Sequence, residues 1–369
     1  MRESRLGARF LRLYSNEGVS RGCMAANSGK SRKQNRSGAA RLLGVVVLFA
    51  LVIAGAAAWL VLTPYGPSTE TFVNLAPGSS SARIGRELQQ AGVVRSRFAF
   101  DLFRLLERGT LKAGVYRFDH PAAVPEIYSR IERGDVYTVA VTIPEGSNIF
   151  DIGTRLQQAG IGTRRQFLLA AAEEVGLIKD LDPEARNLEG YLFPDTYRFS
   201  PNATDAQVVQ AMVRRFRVAA GKLGMSGDLH RVVTIASLVE RETAIPAERP
   251  LVASVFDNRL AKNMPLMSDP SVIYGLELDG RWRGAIHQSD LAFNTAYNTY
   301  LHAGLPPGPV ANPGLQSLRA AMSPAKTDFL YFVASGANPQ GGSLFSSTLE
   351  QHHRDVAGYR KAVKQAGGR

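Results

Sequence analysis

Apolar positions along the chain fall into three regimes. From Leu42 to Thr63, 22 consecutive positions carry no charge. A helix of that length crosses a hydrocarbon core of about 30 Å. From Val73 to about residue 165, short alternating runs are followed by segments of helical period, the mark of small strand-helix units. From Phe167 onward the pattern is mainly helical, with helices predicted over 167–178, 204–223, 229–243 and 246–262. A loop-rich section from Met264 to Pro313 then carries Gly, Pro, Asn and Tyr at high density. After it come a helix near 314–322, a strand over 329–334, a return strand near "SLFSS" and a helix over 348–365. A stretch of some fifty residues this poor in regular pattern is usually functional.

The middle regime repeats itself at an offset of 68 residues. "VNLAPGSSSARIGRELQQAGVV" from Val73 aligns with "VTIPEGSNIFDIGTRLQQAGIG" from Val141. Each copy reads as a strand, then Gly-Ser, then a helix ending in Gly. Alternation of Val139, Val141 and Ile143 marks the strand of the second copy. Ser79 and Ser147 stand where N-caps belong, and Gly92 and Gly160 where a residue of positive φ ends a helix. Between the copies, "LKAGVYRFDH" predicts a strand and "VPEIYSRIERGD" a helix ending at Gly134.

Charge separates the first 41 residues from the rest. The net charge is +12, but residues 1–41 hold ten Lys or Arg against Glu3 and Glu17 alone. The basicity belongs to a tail, which argues against a nucleic-acid surface. Positive charge stays on the cytoplasmic side of a span, so residues from about 66 onward are expected outside. Trp59 sits where an interfacial aromatic belongs, and Pro64 and Tyr65 follow. The alternative is a signal peptide with Ala54–Ala58 as its cleavage region, but such peptides have a shorter apolar core. The single cysteine, Cys23, precedes the span, so the exported part has no thiol, no disulfide and no cysteine metal ligand. Met24 is a second candidate start.

Several motifs carry no chemistry. "SGKS" around Gly29 lacks the first glycine of a phosphate loop. "SPAK" from Ser323 lacks the partner motifs of penicillin-binding enzymes, and Pro324 interrupts the helix it needs. His287, His302, His352 and His353 lack metal-like spacing and read as surface residues. The informative segment is "RVVTIASLVERETA" (231–244). At 100° per residue Val232, Val233, Ile235, Ala236, Leu238 and Val239 form one apolar arc, with Arg241 pointing away. Glu240 falls inside the arc and Glu242 on its opposite flank. A carboxylate in apolar surroundings has a raised pKa, as a general acid requires. The two are i and i+2 and cannot face each other. A salt-bridged role with Arg241, Arg249 or Arg259 is the plainer reading of either, and periodicity does not choose between them.

The set "LEGYLFPDTYRF" (188–199), "ASLVERETA" (236–244), "VASVFDNRL" (252–260), "SDPSVIYG" (268–275), "AYNTY" (296–300) and "GLPPGPVANPG" (304–314) resembles the endolytic murein transglycosylase, or YceG-like, family. The likeness runs from the apolar helix to the C-terminal helix and is thinnest at "DGRWRGA" (279–285). It implies an α+β protein with a single transmembrane helix, a small LysM-like module containing the internal repeat, and a mainly helical catalytic domain with a small sheet. The expected boundaries are a basic cytoplasmic tail (1–41), the transmembrane helix (42–63), a linker (64–72), the module (73–165) and the catalytic domain (166–369). The resemblance places the catalytic glutamate at Glu240. It implies cleavage of the bond between N-acetylmuramic acid and N-acetylglucosamine in nascent peptidoglycan strands, with no cofactor and no metal. The implied setting is the outer face of the cytoplasmic membrane, beside peptidoglycan synthases, where the enzyme terminates strand elongation.

Glycosidases that use water need two carboxylates. A lytic transglycosylase uses the substrate's own 6-hydroxyl, so one glutamate protonates the leaving oxygen and later takes the hydroxyl proton. Tyr297, Asn298, Thr299 and Tyr300 offer flat faces, amide and hydroxyl groups for sugar binding, and Asp269 in "SDPSVIYG" is grouped with them. Glu189 and Asp195 are expected as supporting carboxylates near the cleft, and the prolines of 304–314 as its wall. Two rivals stand beside this reading. One is a non-catalytic peptidoglycan-binding anchor for cell-wall assembly proteins. The other is a two-carboxylate glycosidase, which requires a second acid facing Glu240.

Overall fold

A computed structural model describes residues 34–338 and 341–367. The basic tail before residue 34, with Cys23 and the Gly29 segment, lies outside the described residues. The chain forms two compact units that meet between Leu62 and Thr63. The first contains helix α1 (Gln34–Leu62), whose stretch Gly38–Leu62 is long and apolar enough to cross a membrane and has no buried residue in its apolar window. The helix starts ahead of the predicted Leu42 because nothing between Ser37 and Arg41 breaks it. It stops short of Pro64, which disfavours a helical residue before it.

The second unit begins with two strand-helix segments. Strand β1 (Thr71–Leu75) pairs antiparallel with β2 (Gly114–Phe118), Thr71 opposite Phe118. Helices α2 (Ser81–Gln90) and α3 (Arg97–Glu107) lie between them in sequence, and α4 (Val124–Arg133) follows. Strand β3 (Val139–Thr142) pairs antiparallel with β4 (Thr196–Phe199), across α5 (Ile149–Gln158) and α6 (Arg164–Glu173). The remaining helices are α7 (Asp205–Leu223), α8 (Leu229–Glu242), α9 (Arg249–Ala261), α10 (Asp269–Leu278) and α11 (Leu315–Met322). The hairpin β5 (Tyr331–Ala334) and β6 (Ser343–Ser346) and helix α12 (Leu349–Gly367) complete the described chain.

In both segments the helix cap lies one residue beyond the expected serine. Ser80 caps α2 by accepting from Arg83 N, and Asn148 caps α5 by accepting from Phe150 N and Asp151 N. Asn148 wins over Ser147 because Asp151 answers it, forming a reciprocal capping box. Gly92 and Gly160 have φ of +71° and +75°, the left-handed conformation that ends a helix cheaply only at glycine. Among the described residues the six strands form three separate two-stranded ladders. The predicted strand through Ile143 ends at Thr142, although Ile143 N still donates to Asp195 O at 3.0 Å. Helix α10 occupies part of the section predicted as loop.

One hydrophobic core runs from Val141 to Ala321 and unites the second strand-helix segment with the helices after it. The first segment buries Leu75, Leu88, Tyr116 and Ile131 outside that cluster. Packing therefore divides the 73–165 stretch expected as one module. Helix α8 lies at the centre, packed on α9, α10 and α11. Thr234 and Ser237 are as fully buried as Leu238, so α8 is enclosed on nearly all sides instead of along one arc. Ser237 Oγ donates to Thr234 O at 2.7 Å and accepts from Val310 N at 3.0 Å, pinning the proline-rich loop to the helix.

The shared core predicts a cooperative response. Leu156→Ala, deep in α5, should lower stability by about 2–5 kcal/mol. Of the two tryptophans, Trp282 reports on the C-terminal half, so its fluorescence midpoint in urea should fall with the loss. A variant that leaves that midpoint unchanged contradicts a single core.

Candidate active site around Glu240

Four segments converge on Glu240. It occupies the last turn of α8, and its side chain is 5% exposed. Arg249, the first residue of α9, donates from Nη2 to Glu240 Oε1 at 2.9 Å. Gly314 N, at the start of α11, donates to Oε2 at 2.8 Å. The turn between β3 and α5 closes the group: Gly146 approaches the Glu240 side chain with φ +76°, and Arg241 Nη1 donates to Gly146 O at 3.2 Å. Glu145, half exposed in that turn, brings Oε2 to 3.9 Å from Arg249 Nη2. Burial and the neighbouring Glu240 charge raise the Glu145 pKa above the usual carboxylate value, against a smaller lowering by Arg249. The helical pattern located Glu240 correctly as an enclosed residue, but the groups that meet its oxygens are a guanidinium and an amide N–H, not an apolar wall.

Asn312 holds the two sides of this site together. Its Nδ2 donates to Ser147 O at 3.0 Å and to Glu189 Oε1 at 2.7 Å, while its Oδ1 accepts from Leu192 N at 2.8 Å. Glu189 also accepts from Ile149 N at 2.9 Å and is 1% exposed. Its pKa is pushed up to about 8, chiefly by burial. Nearby, Asn148 Nδ2 donates to Glu277 Oε2 at 2.5 Å, and burial raises Glu277 to about 7. Glu189 thus braces the loop behind Glu240 and has no surface free for a sugar. Asp195 is ion-paired to Arg215 at 2.5 Å, away from these contacts.

The "AYNTY" residues divide. Asn298 is fully buried, its Nδ2 donating to Leu291 O and Phe293 O and its Oδ1 accepting from Tyr300 N. Thr299 is 2% exposed and accepts from Ser268 N. Both shape the loop from inside. Tyr297 packs edge-on to Tyr274, with ring centroids 4.9 Å apart. Tyr300 reaches a surface cleft, where its hydroxyl donates to Asp269 Oδ1 at 2.6 Å.

That cleft, of about 520 Å³, is lined by Glu242, Arg259, Asp269, Tyr300, Tyr331 and residues of α12. Glu242 accepts from Ser268 Oγ at 2.6 Å, and burial raises its pKa to about 7. His352, read from sequence as a surface histidine, stacks on Tyr331 there. Glu240 and Glu242 therefore serve different sides of α8. A second cleft, of about 540 Å³, is formed by Arg281, Trp282, Arg283 and Phe293 with the end of α10. It falls in the stretch where the sequence resemblance was thinnest.

The profile of the YceG-like family matches residues 73–358, which includes every segment that meets at Glu240. The chain belongs to the YceG-like family. A Bacillus subtilis relative named endolytic murein transglycosylase is 32% identical over 307 residues, covering 78% of this chain and 84% of the relative. A Streptococcus pneumoniae protein of the same name is 29% identical over 325 residues, and the match spans only 57% of its length. The crystal structure of a YceG-like protein from Listeria monocytogenes superposes with a TM-score of 0.51 at 32% identity, covering 78% of this chain and 99% of that one. The YceG-like resemblance drawn from six motifs is thus correct. Arg249, one of three arginines offered by the sequence as a salt-bridge partner, is the one that pairs with Glu240; Glu145 and Gly314 were not singled out, because only the fold brings them there.

Two outcomes follow from the brace. Asn312→Ala leaves Leu192 N and Glu189 without partners in the interior and should cost about 2–4 kcal/mol in chemical denaturation. Glu189 binds its proton more tightly folded than unfolded, so its contribution is complete below pH 4.5 and is lost as pH rises through about 8. Glu277 and Glu242 act in the same direction through about 7. Stability measured between pH 5 and 8 should therefore fall. Glu189→Gln, which cannot ionise, should flatten that slope by up to about 1.4 kcal/mol per pH unit. An unchanged slope would remove Glu189 as the source.

Proposed function

We propose that this chain is a membrane-anchored lytic transglycosylase of peptidoglycan, with Glu240 as its catalytic acid. The observation that carries the reading is the fixed Glu240 carboxylate, enclosed where "VERET", the Arg249 turn and "GLPPGPVANPG" meet. The shared name of the curated relatives supports the reaction class. Glu240 protonates the oxygen between N-acetylmuramic acid and N-acetylglucosamine, and the muramoyl 6-hydroxyl closes on C1 to leave a 1,6-anhydro end. No water enters the product, so an enclosed acid is an advantage.

Helix α1 supports anchoring in the cytoplasmic membrane, with the second unit outside. The tail's excess of Lys and Arg supports that orientation. A tethered enzyme meets strands as they leave the synthases, which suits a terminator of glycan elongation. The first strand-helix segment, with its separately buried residues, suits the LysM-like peptidoglycan-binding role, and the internal repeat is part of the same reading.

Glu242 supports a second assignment of the acid. Its carboxyl is raised to about 7 and lines an open cleft beside Tyr300 and Asp269. Glu240→Gln and Glu242→Gln separate the two. Peptidoglycan digested with each variant and the parent should yield 1,6-anhydro-muramoyl fragments by mass spectrometry from the parent and from Glu242→Gln. The Glu240→Gln protein should lose at least about 10²-fold in rate. The reverse pattern moves the acid to Glu242. Reducing ends from the parent indicate a hydrolase, and no fragments from any of the three favour the binding-anchor reading.

A further inference from the structure

The rival two-carboxylate chemistry requires a second acid facing Glu240, and the fold supplies a group in that place. Glu145 precedes Gly146 in the turn between β3 and α5, 95 residues from Glu240 in sequence. One nitrogen, Arg249 Nη2, lies 2.9 Å from Glu240 Oε1 and 3.9 Å from Glu145 Oε2. The two side chains differ in access: Glu240 is 5% exposed and Glu145 is 48% exposed. The Glu145 carboxyl lies where a Cβ on Gly314 would stand, beside the amide that holds Glu240. Arg249 is also 8% exposed with no hydrogen-bond partner at Nε, so its guanidinium is not saturated by protein.

We infer that Glu145 is the second proton-transfer group of this site, taking the proton of the muramoyl 6-hydroxyl as that oxygen closes on C1. The assignment rests on the transglycosylase reading and divides between two residues the tasks first given to Glu240 alone. In the step, the bond from C1 to the leaving oxygen breaks and that oxygen takes the Glu240 proton. The bond from O6 to C1 forms, and the O6 proton passes to Glu145. Glu240 ends as carboxylate and Glu145 as acid, and transfer of one proton between them, directly or through solvent, restores the start. Neither water nor an external base is consumed. With both carboxylates ionised the Glu145–Arg249–Glu240 group carries one net negative charge, and a single proton neutralises it. Burial and the Glu240 charge raise the basicity of Glu145, the direction a proton acceptor needs. The charged groups that act on it are Glu240 on α8 and Arg249 on α9, and Arg241 of α8 is bonded to the next residue, Gly146.

The test uses the full-length protein in detergent, acting on isolated peptidoglycan, with Glu145→Gln and Glu145→Asp beside the parent and Glu240→Gln. Glu145→Gln should keep the parent's melting temperature, since Glu145 is half exposed. It should lower kcat by about 10²–10³-fold with KM within about twofold of the parent. The acidic limb of the pH–rate profile, where a base must lose its proton, should disappear. Glu145→Asp should restore part of kcat together with that limb. Unchanged kcat in Glu145→Gln overturns the assignment, as does a lower kcat with an unchanged pH profile, the mark of a merely structural role. If the parent itself releases no anhydro ends, the functional reading fails and takes this step with it. Anhydro ends from a fully active Glu145→Gln protein defeat only the role of Glu145.

Discussion

Two backbone hydrogen bonds decide whether there is a site at all. Gly146 N donates to Asn312 O at 3.0 Å, and Asn312 N donates back to Ser147 O at 2.9 Å. They join the turn before α5 to the proline-rich loop before α11, and Glu240 lies within the closure. Without that pairing, Gly314 N would not reach Oε2, Glu145 would not reach Arg249, and Glu240 would be an ordinary helix-end glutamate. The loop can serve as a fixed partner because Pro306, Pro307, Pro309 and Pro313 limit its alternatives before folding. The Asn312 side chain then fills the space behind it with bonds to Ser147, Glu189 and Leu192, in two further segments.

The sequence revealed most where local chemistry is decisive. Helix α7 was legible almost to the residue because Thr204 and Gln207 form a capping box at one end and Gly224 takes the left-handed conformation at the other. Helix α10 was hidden because Ser268, Asp269, Pro270 and Gly275 have the composition of a loop. It forms because Pro270 lies in the first turn, where its missing N–H is not needed. Strands β3 and β4 are held by pairing across 54 residues, as at Thr142 and Thr196, and no local pattern announces such pairing. The same division governs the site. The period of α8 narrows the choice to Glu240 and Glu242, and the family resemblance points to Glu240, whereas Glu145 and Gly314 matter only through the tertiary closure.

Buried carboxylates are distributed around α8 with different partners, and the partners determine what each can do. Glu248 is tied to Thr243, to Ser343 N and to Ser343 Oγ, fixing α9 against β6. Glu189 receives only neutral donors and is deeply enclosed, so burial prevails and it keeps its proton past neutrality. Groups satisfied in this way stiffen the frame but are sealed from solvent. Glu240 differs in having a cation for one partner and a half-exposed carboxylate just beyond it.

Glu240 and Glu242 show how two residues of separation on one helix become a difference in kind. At 200° apart they look to opposite sides of α8. One side is closed by the 145–148 turn and the 312–314 loop; the other opens to the cleft under α12. Glu242 has the hydroxyl of Ser268, a raised pKa and an open cavity, all of which favour it as a proton donor when it is considered alone. Glycosidic cleavage by an internal hydroxyl also needs a place for the second proton. In the 520 Å³ cleft the nearby carboxylate, Asp269, already accepts from Tyr300. At Glu240 the second carboxylate is half exposed and stands 3.9 Å from a guanidinium whose Nε has no hydrogen-bond partner. The need for two proton positions, more than the pKa of either glutamate, is what favours the Glu240 side of the helix.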